Sequence, residues 1–261
     1  MNIDVFVSIF VFVIGLIFGS FYNVVGYRVP ENKSIAFPNS HCPNCKHQLK
    51  FYELIPLISY IFLGGKCKVC KKRISIIYPF FELLTGILFL ASYMVFGLSI
   101  EFAIAITFIS ILIIVSISDV RYYIIPDEVL IVGIIILIIE FIIKCFVKDL
   151  SFYNAVIYPI LNGLASFAIL YLFKILGDFL FKKESLGGGD IKLLFLIGLV
   201  LGFDMGMLSI FIAAFIALPF SFYTLLKEDI NVLPFGPYLS VASVIILLME
   251  VDLNMLLDLF I

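Results

Sequence analysis

An all-helical, polytopic membrane protein is the fold class this sequence predicts, and three observations predict it. Of its 261 residues, 63% are hydrophobic and only 14% charged, with a mean hydropathy of +1.21; a soluble domain runs about 45–50% apolar and about 25% charged. The apolar residues gather in eight runs, near 4–26, 77–97, 100–118, 128–147, 155–180, 191–203, 207–226 and 235–250. None of the runs alternates apolar with polar residues as a barrel strand does. In lipid the backbone must then be satisfied within a helix.

The first run, MNIDVFVSIFVFVIGLIFGS, has no basic start, carries Asp4, and lacks a small-residue cleavage pattern. It therefore reads as a first membrane helix and not as a cleaved signal. Later runs such as Ile131 to Ile143 are rich in β-branched residues. In water that would favour strand, but in lipid it does not. Eight spans of roughly 20 residues leave about 100 for loops.

Charge is distributed unevenly. The net charge of −2 carries no message about nucleic acid, and no such partner is expected. Nine of the 17 Lys and Arg lie between Arg28 and Arg73, against Glu31 and Glu53. Basic loops stay on the cytoplasmic side, which predicts a cytoplasmic 28–76 loop and an N-terminus outside. Helix counting places 119–127, 182–189 and 227–236 on the same face. Lys144 and Lys148, near Glu140 and Asp149, fall outside. The expected organisation is a first helix over 1–27, a loop domain over 28–76 and a seven-helix membrane domain over 77–261, with no internal repeat.

Four of the five cysteines sit in the basic loop as Cys42-Pro-Asn-Cys45 and, 21 residues on, Cys67-Lys-Val-Cys70. Two such pairs offer four thiolates to one tetrahedral zinc, and a small loop without a core gains folding energy from the metal. A fully cysteine-ligated ion has no position for water, so a structural zinc is expected. His41 and His47 flank the first pair as alternative ligands. They are the only histidines, which excludes a helical His-Glu-x-x-His metalloprotease site. Unligated cytosolic thiols are the alternative reading. Cys145, alone in an apolar run, reads as a packing residue.

Carboxylates at the edge of a membrane span are costly and face an interior or a wet cleft. Asp119 ends the third run, directly after ILIIVSIS, and Asp190 opens the sixth, directly after Gly187-Gly188-Gly189. Both fall at the predicted cytoplasmic edge. Two carboxylates at one depth can share a proton, one acting as base toward water and one as acid toward a carbonyl, as aspartyl proteolysis requires. Glycines without side chains would let a substrate backbone approach. Singly, each has a plainer reading: a boundary acid, or a loop with an N-cap aspartate. Asp119 stands at the negative end of its own helix and Asp190 at the positive end of its own, which places the shared proton on Asp119. Arg121 and Lys192 each lie two residues beyond an aspartate; Lys192 would support an ionised Asp190.

These motifs, in this order, resemble the type IV prepilin peptidases over nearly the whole chain. Gly19-Ser20-Phe21-Tyr22-Asn23-Val24-Val25 with Arg28 and Pro30 is similar to the family's first-helix motif, and the two Cys pairs to its zinc loop. Tyr78-Pro79, Glu82-Leu83 and Thr85 resemble the entry to its second helix. Asp119 with Pro126-Asp127 resembles its first catalytic motif; Gly187-Gly188-Gly189-Asp190 with Lys192-Leu193 resembles its GxGD motif; Pro234-Phe235-Gly236-Pro237-Tyr238 resembles its last loop. The resemblance implies that Asp119 and Asp190 are the catalytic pair of an inner-membrane enzyme. It would cleave the leader of prepilins or pseudopilins at the cytoplasmic face, then N-methylate the product with S-adenosylmethionine. No residue is assigned to that cofactor. Asp127 is expected to cap the helix that follows it.

Two other readings are weaker. Presenilin-type GxGD proteases carry Pro-Ala-Leu where this chain has Pro-Phe-Gly-Pro, and preflagellin peptidases lack the cysteine loop. A carboxylate-based transporter would place its acids near the midplane of repeated halves.

Overall fold

The computed structural model describes residues 3–182, 186–226 and 233–251. Residues 183–185 and 227–232, within two of the predicted cytoplasmic loops, lie outside the described set. All eight apolar runs are helices: α1 (Ile3–Arg28), α3 (Ile77–Phe96), α4 (Ile100–Tyr122), α5 (Asp127–Val147), α6 (Tyr158–Phe181), α7 (Gly188–Leu201), α8 (Phe203–Leu226) and α9 (Gly236–Leu248). A five-residue helix, α2 (Ile58–Phe62), and two isolated bridges lie in the loop between α1 and α3. Among the described residues, six helices are long and apolar enough to cross a membrane. The other two are shorter. With 14 residues in α7 and 13 in α9, each reaches only about 20 Å at the helical rise of 1.5 Å, against a hydrocarbon core of about 30 Å.

The chain divides into two compact units, residues 1–97 and 98–261, so α3 groups with α1 and the cysteine loop. In the first unit α1 packs along α3. The approach is close because glycines face it: a Cβ on Gly15 would stand 2.8 Å from the Gly86 Cα, and one on Gly19 2.8 Å from the Glu82 Cα. Gly15 and Gly19 are four apart, the small-xxx-small spacing that lets membrane helices meet backbone to backbone. Beside this seam buried Asn23 donates to the carbonyls of Gly19 and Tyr78 (3.1 and 3.2 Å).

In the second unit α4 and α7 are the inner helices. Residues 111–119 of α4 are buried without a break, and Leu193, Leu194, Leu196 and Ile197 of α7 are fully buried. α4 lies against α5 and α9, while α7 lies against α5, α6, α8 and α9. Ser99 caps α4 by accepting the Phe102 N–H, and Tyr123, in the left-handed conformation, ends it. Gly202 (φ 87°) alone joins α7 to α8. Glu140, half-buried in α5, accepts the Thr107 hydroxyl at 2.8 Å. Lys144 and Lys148 pair with Glu101 (3.7 and 3.6 Å) and not with the acids nearer to them in sequence. Cys145 lies near the end of α5, where its thiol donates to the Leu150 carbonyl.

Candidate active site and metal centre

The two cysteine pairs fold into two copies of one knuckle. In the first, Cys42 N–H donates to the His47 carbonyl, Lys46 N–H to the Cys42 carbonyl and Leu49 N–H to the Ser40 carbonyl, all at 2.9 Å. The second repeats this as Cys67 to Lys72 (2.9 Å), Lys71 to Cys67 (3.0 Å) and Ile74 to Gly65 (2.8 Å). The bridges His41–Gln48 and Lys66–Arg73 match as well. Each turn closes through a lysine of positive φ, Lys46 (59°) and Lys71 (58°). The absence of an internal repeat that the sequence predicts is thus corrected on this small scale. The segments 40–49 and 65–74 share Cys-x-x-Cys-Lys, too short a string to stand out.

The four thiol sulfurs lie within 4.8 Å of one another, with Cys42–Cys70 and Cys45–Cys67 at 3.8 Å. Four Zn–S bonds of about 2.3 Å in a tetrahedron set S···S edges of about 3.8 Å, so the donor set fits that ion. The Cys45 N–H holds the Cys42 thiol below its ordinary value, and the Lys72 N–H draws Cys70 down to about 6. Cys45, although it accepts the His47 N–H, is pushed up to about 11 by burial and by its sulfur neighbours. Four clustered thiols resist carrying four negative charges, and a divalent cation removes that conflict. Neither histidine joins the set: His41 Nδ1 bonds to the Asn39 carbonyl, and His47 Nε2 meets Glu53 Oε2 at 3.2 Å. The Glu53 side chain is 1% exposed. It also accepts the Lys50 N–H, which with His47 holds its carboxyl below the usual range.

In the second unit the fold links the motifs of Asp119 and Asp190 through Ile125 and Gly236. Asp119 is in the last turn of α4 and 6% exposed; Asp190 is the third residue of α7 and half-buried. Asp119 Oδ2 accepts the backbone N–H of Gly236, the first residue of α9, at 2.9 Å. That hydrogen bond brings the Pro-Phe-Gly-Pro segment to the aspartates, a link no sequence spacing expresses. Ile125 packs beneath both motifs: a Cβ on Gly189 would stand 2.9 Å from the Ile125 Cβ, and one on Gly236 3.4 Å from its Cδ1.

The glycines before Asp190 have three separate settings. A Cβ on Gly187 would meet Asp190 Oδ2 at 2.9 Å, one on Gly189 would strike Ile125, and one on Gly188 would meet nothing within 4 Å. Only Gly188 thus stands open as the sequence predicts for a substrate; the other two make room for a carboxylate and a packing contact. Lys192 does not serve Asp190. Its Nζ lies 2.7 Å from both carboxylate oxygens of Asp127. Nor does Asp127 cap α5. The capping position is Pro126, and Asp127 is the first helical residue.

Comparison with known proteins divides the chain at the same place as the fold. The profile of the Bacterial Peptidase A24 N-terminal domain matches residues 13–96, and that of the Type IV leader peptidase family matches residues 106–222. A Bacillus subtilis protein named prepilin leader peptidase/N-methyltransferase is 36% identical over 238 residues, 90% of this chain and 91% of its own. Proteins of the same name from Pseudomonas aeruginosa and Neisseria gonorrhoeae are 30% and 31% identical. Both alignments cover 90% of this chain, with 88% and 87% of the respective relatives. No solved structure matches the chain significantly. With one profile on each compact unit and relatives aligned along most of both chains, this chain belongs to the type IV leader peptidase family.

Proposed function

We propose that this protein is an inner-membrane aspartyl endopeptidase that removes the leader of type IV prepilins or pseudopilins, with Asp119 and Asp190 as its catalytic pair. The observation that carries this reading is the convergence of the two aspartate motifs on Ile125, which packs against Gly189 beside Asp190 and against Gly236, whose N–H holds Asp119. Asp119 is buried and Asp190 only partly so, which leaves Asp190 the more accessible of the two. The acids lie at helix ends and not in mid-span, which favours proteolysis over a transporter.

The proton assignment follows the hydrogen bonds. Asp119 accepts an N–H at the positive end of α9, which stabilises its ionised form. Among the described residues none donates a hydrogen bond to Asp190. Asp119 then takes a proton from water as its oxygen attacks the scissile carbonyl carbon, and Asp190 gives its proton to the carbonyl oxygen. Collapse of the tetrahedral intermediate breaks the C–N bond: the departing amine takes the proton held by Asp119, and one hydroxyl of the gem-diol returns its proton to Asp190. This reverses the order expected from the two aspartates' own helices.

The four cysteines would hold one structural zinc, which shapes the loop and takes no part in peptide cleavage. The relatives' names add an N-methyltransferase, which would use S-adenosylmethionine. The buried acceptors in the first unit with no partner among the described residues, Asn23 Oδ1 and Glu53 Oε1, are of the type that an ammonium or ribose hydroxyl requires. We place the methyl-donor site in that unit. The basic loop, the zinc and both aspartates would face the cytoplasm. The deciding experiment is cleavage of a purified prepilin by wild type and by each Asp→Asn variant in proteoliposomes; robust cleavage by either variant would refute the catalytic pair.

A further inference from the structure

The short helix α2 is built inside out. Its large apolar residues Ile58, Ile61 and Phe62, spaced i, i+3, i+4 along one face, are 51%, 73% and 86% exposed. The polar-tipped Tyr60 instead turns inward, within 3.0 Å of a Cβ built on Gly65, and reaches the Ile74 carbonyl. A helix in water would present the opposite face.

Its position explains the inversion. The N–H of Leu57, the residue before α2, donates to Glu82 Oε2 at 2.9 Å. Glu82 is the sixth residue of α3, about 8 Å along the axis at the helical rise. The 20 residues of α3 span about 30 Å, the full hydrocarbon thickness. Its first turn therefore marks the membrane surface, where Tyr27 and Tyr78 stack with ring centroids 5.2 Å apart in the manner of an interfacial aromatic belt. The start of α2 is thus tied below that surface. The segment after it is basic: Lys66, Lys68, Lys71, Lys72 and Arg73 are all exposed.

We propose that the loop between α1 and α3 dips back into the bilayer edge, with Ile58, Ile61 and Phe62 inserted at the boundary of headgroups and acyl chains. The basic second knuckle then rests on anionic lipid headgroups. The occupant of the exposed apolar face is phospholipid. Continuity with α3 supplies the depth, and the Lys and Arg cluster supplies charge complementarity to an anionic leaflet. This anchoring would hold the knuckles at a fixed height above the membrane, independently of whether the protein cleaves prepilins.

The chain contains no tryptophan, so Phe62→Trp, or Ile61→Trp should that variant fold poorly, introduces a single fluorophore. The full-length zinc-loaded protein is reconstituted in vesicles of phosphatidylcholine and phosphatidylglycerol, with bromine near the headgroup end of the acyl chains. We expect bromine to remove most of the emission while aqueous iodide removes little. Omitting phosphatidylglycerol should weaken the bromine quenching, and unchanged quenching would overturn the electrostatic contribution. Strong iodide quenching without bromine quenching would overturn the insertion, leaving the face for a soluble partner. Quenching by neither would also overturn it, because the face would then be covered by protein.

Discussion

The backbone N–H of Gly236 donates to Asp119 Oδ2 at 2.9 Å across 117 positions of sequence. The last turn of α4 is thereby joined to the first residue of α9. A negative group at the end of one helix gains the positive end of another, and the candidate site is closed by backbone as well as by side chains.

Either Asp119→Asn or Asp190→Asn should abolish leader cleavage while the protein stays folded and zinc-loaded. Mass spectrometry of a prepilin substrate measures the loss. Asp127→Asn should retain most activity. Its bond to Lys192 joins side chains that are 54% and 50% exposed, and such a pair contributes about 0–1 kcal/mol.

Infrared difference spectra of the two Asp→Asn proteins should locate the shared proton. The band of the protonated carboxyl should disappear in Asp190→Asn and persist in Asp119→Asn. The opposite pattern would return the proton to Asp119. A pH–rate profile cannot decide this, because a coupled pair titrates as a unit.

Gly236→Ala places a Cβ 2.8 Å from Asp119 Oδ2 and should displace either the loop or the carboxylate. A shift of this order at a catalytic group costs about 100-fold in rate, and kcat/KM against a prepilin peptide measures it. Gly189→Ala, driven against Ile125, should lower thermal stability. Gly188→Ala, with no atom within 4 Å, should leave it unchanged.

Protein purified under reducing, chelator-free conditions should carry about one zinc per chain by elemental analysis. Replacing any one of Cys42, Cys45, Cys67 or Cys70 by Ser should loosen the loop to proteolysis while the membrane helices remain inserted. Metal-free wild type with an intact loop would defeat this assignment.

Cleaved prepilin incubated with the enzyme and S-adenosylmethionine should gain one N-terminal methyl group by mass spectrometry. Asn23→Ala should reduce that gain more than it reduces cleavage if the methyl-donor site lies in the first unit. Equal losses would separate methylation from that unit.

What the sequence determined by itself is whatever depends on neighbours along the chain. Apolar run lengths specify eight helices, because in lipid each run satisfies its own backbone internally. The Cys-x-x-Cys spacing specifies each knuckle, because a tight turn offers both sulfurs from within six residues. Asp119 and Asp190 stand out as acids beside unbroken apolar runs. The tertiary structure alone decided which distant groups meet. Lys192 reaches Asp127 across 65 positions and leaves Asp190. Gly189 is required by the bulk of Ile125 and Gly236 by the Asp119 carboxylate, and Leu57, at the start of α2, is tied to Glu82 across 25 positions. Helix dipoles read from sequence know only their own side chains. In the proposed mechanism the proton's place depends on α9, whose N-terminus folding brings to Asp119, and such a field acts through space and not along the chain.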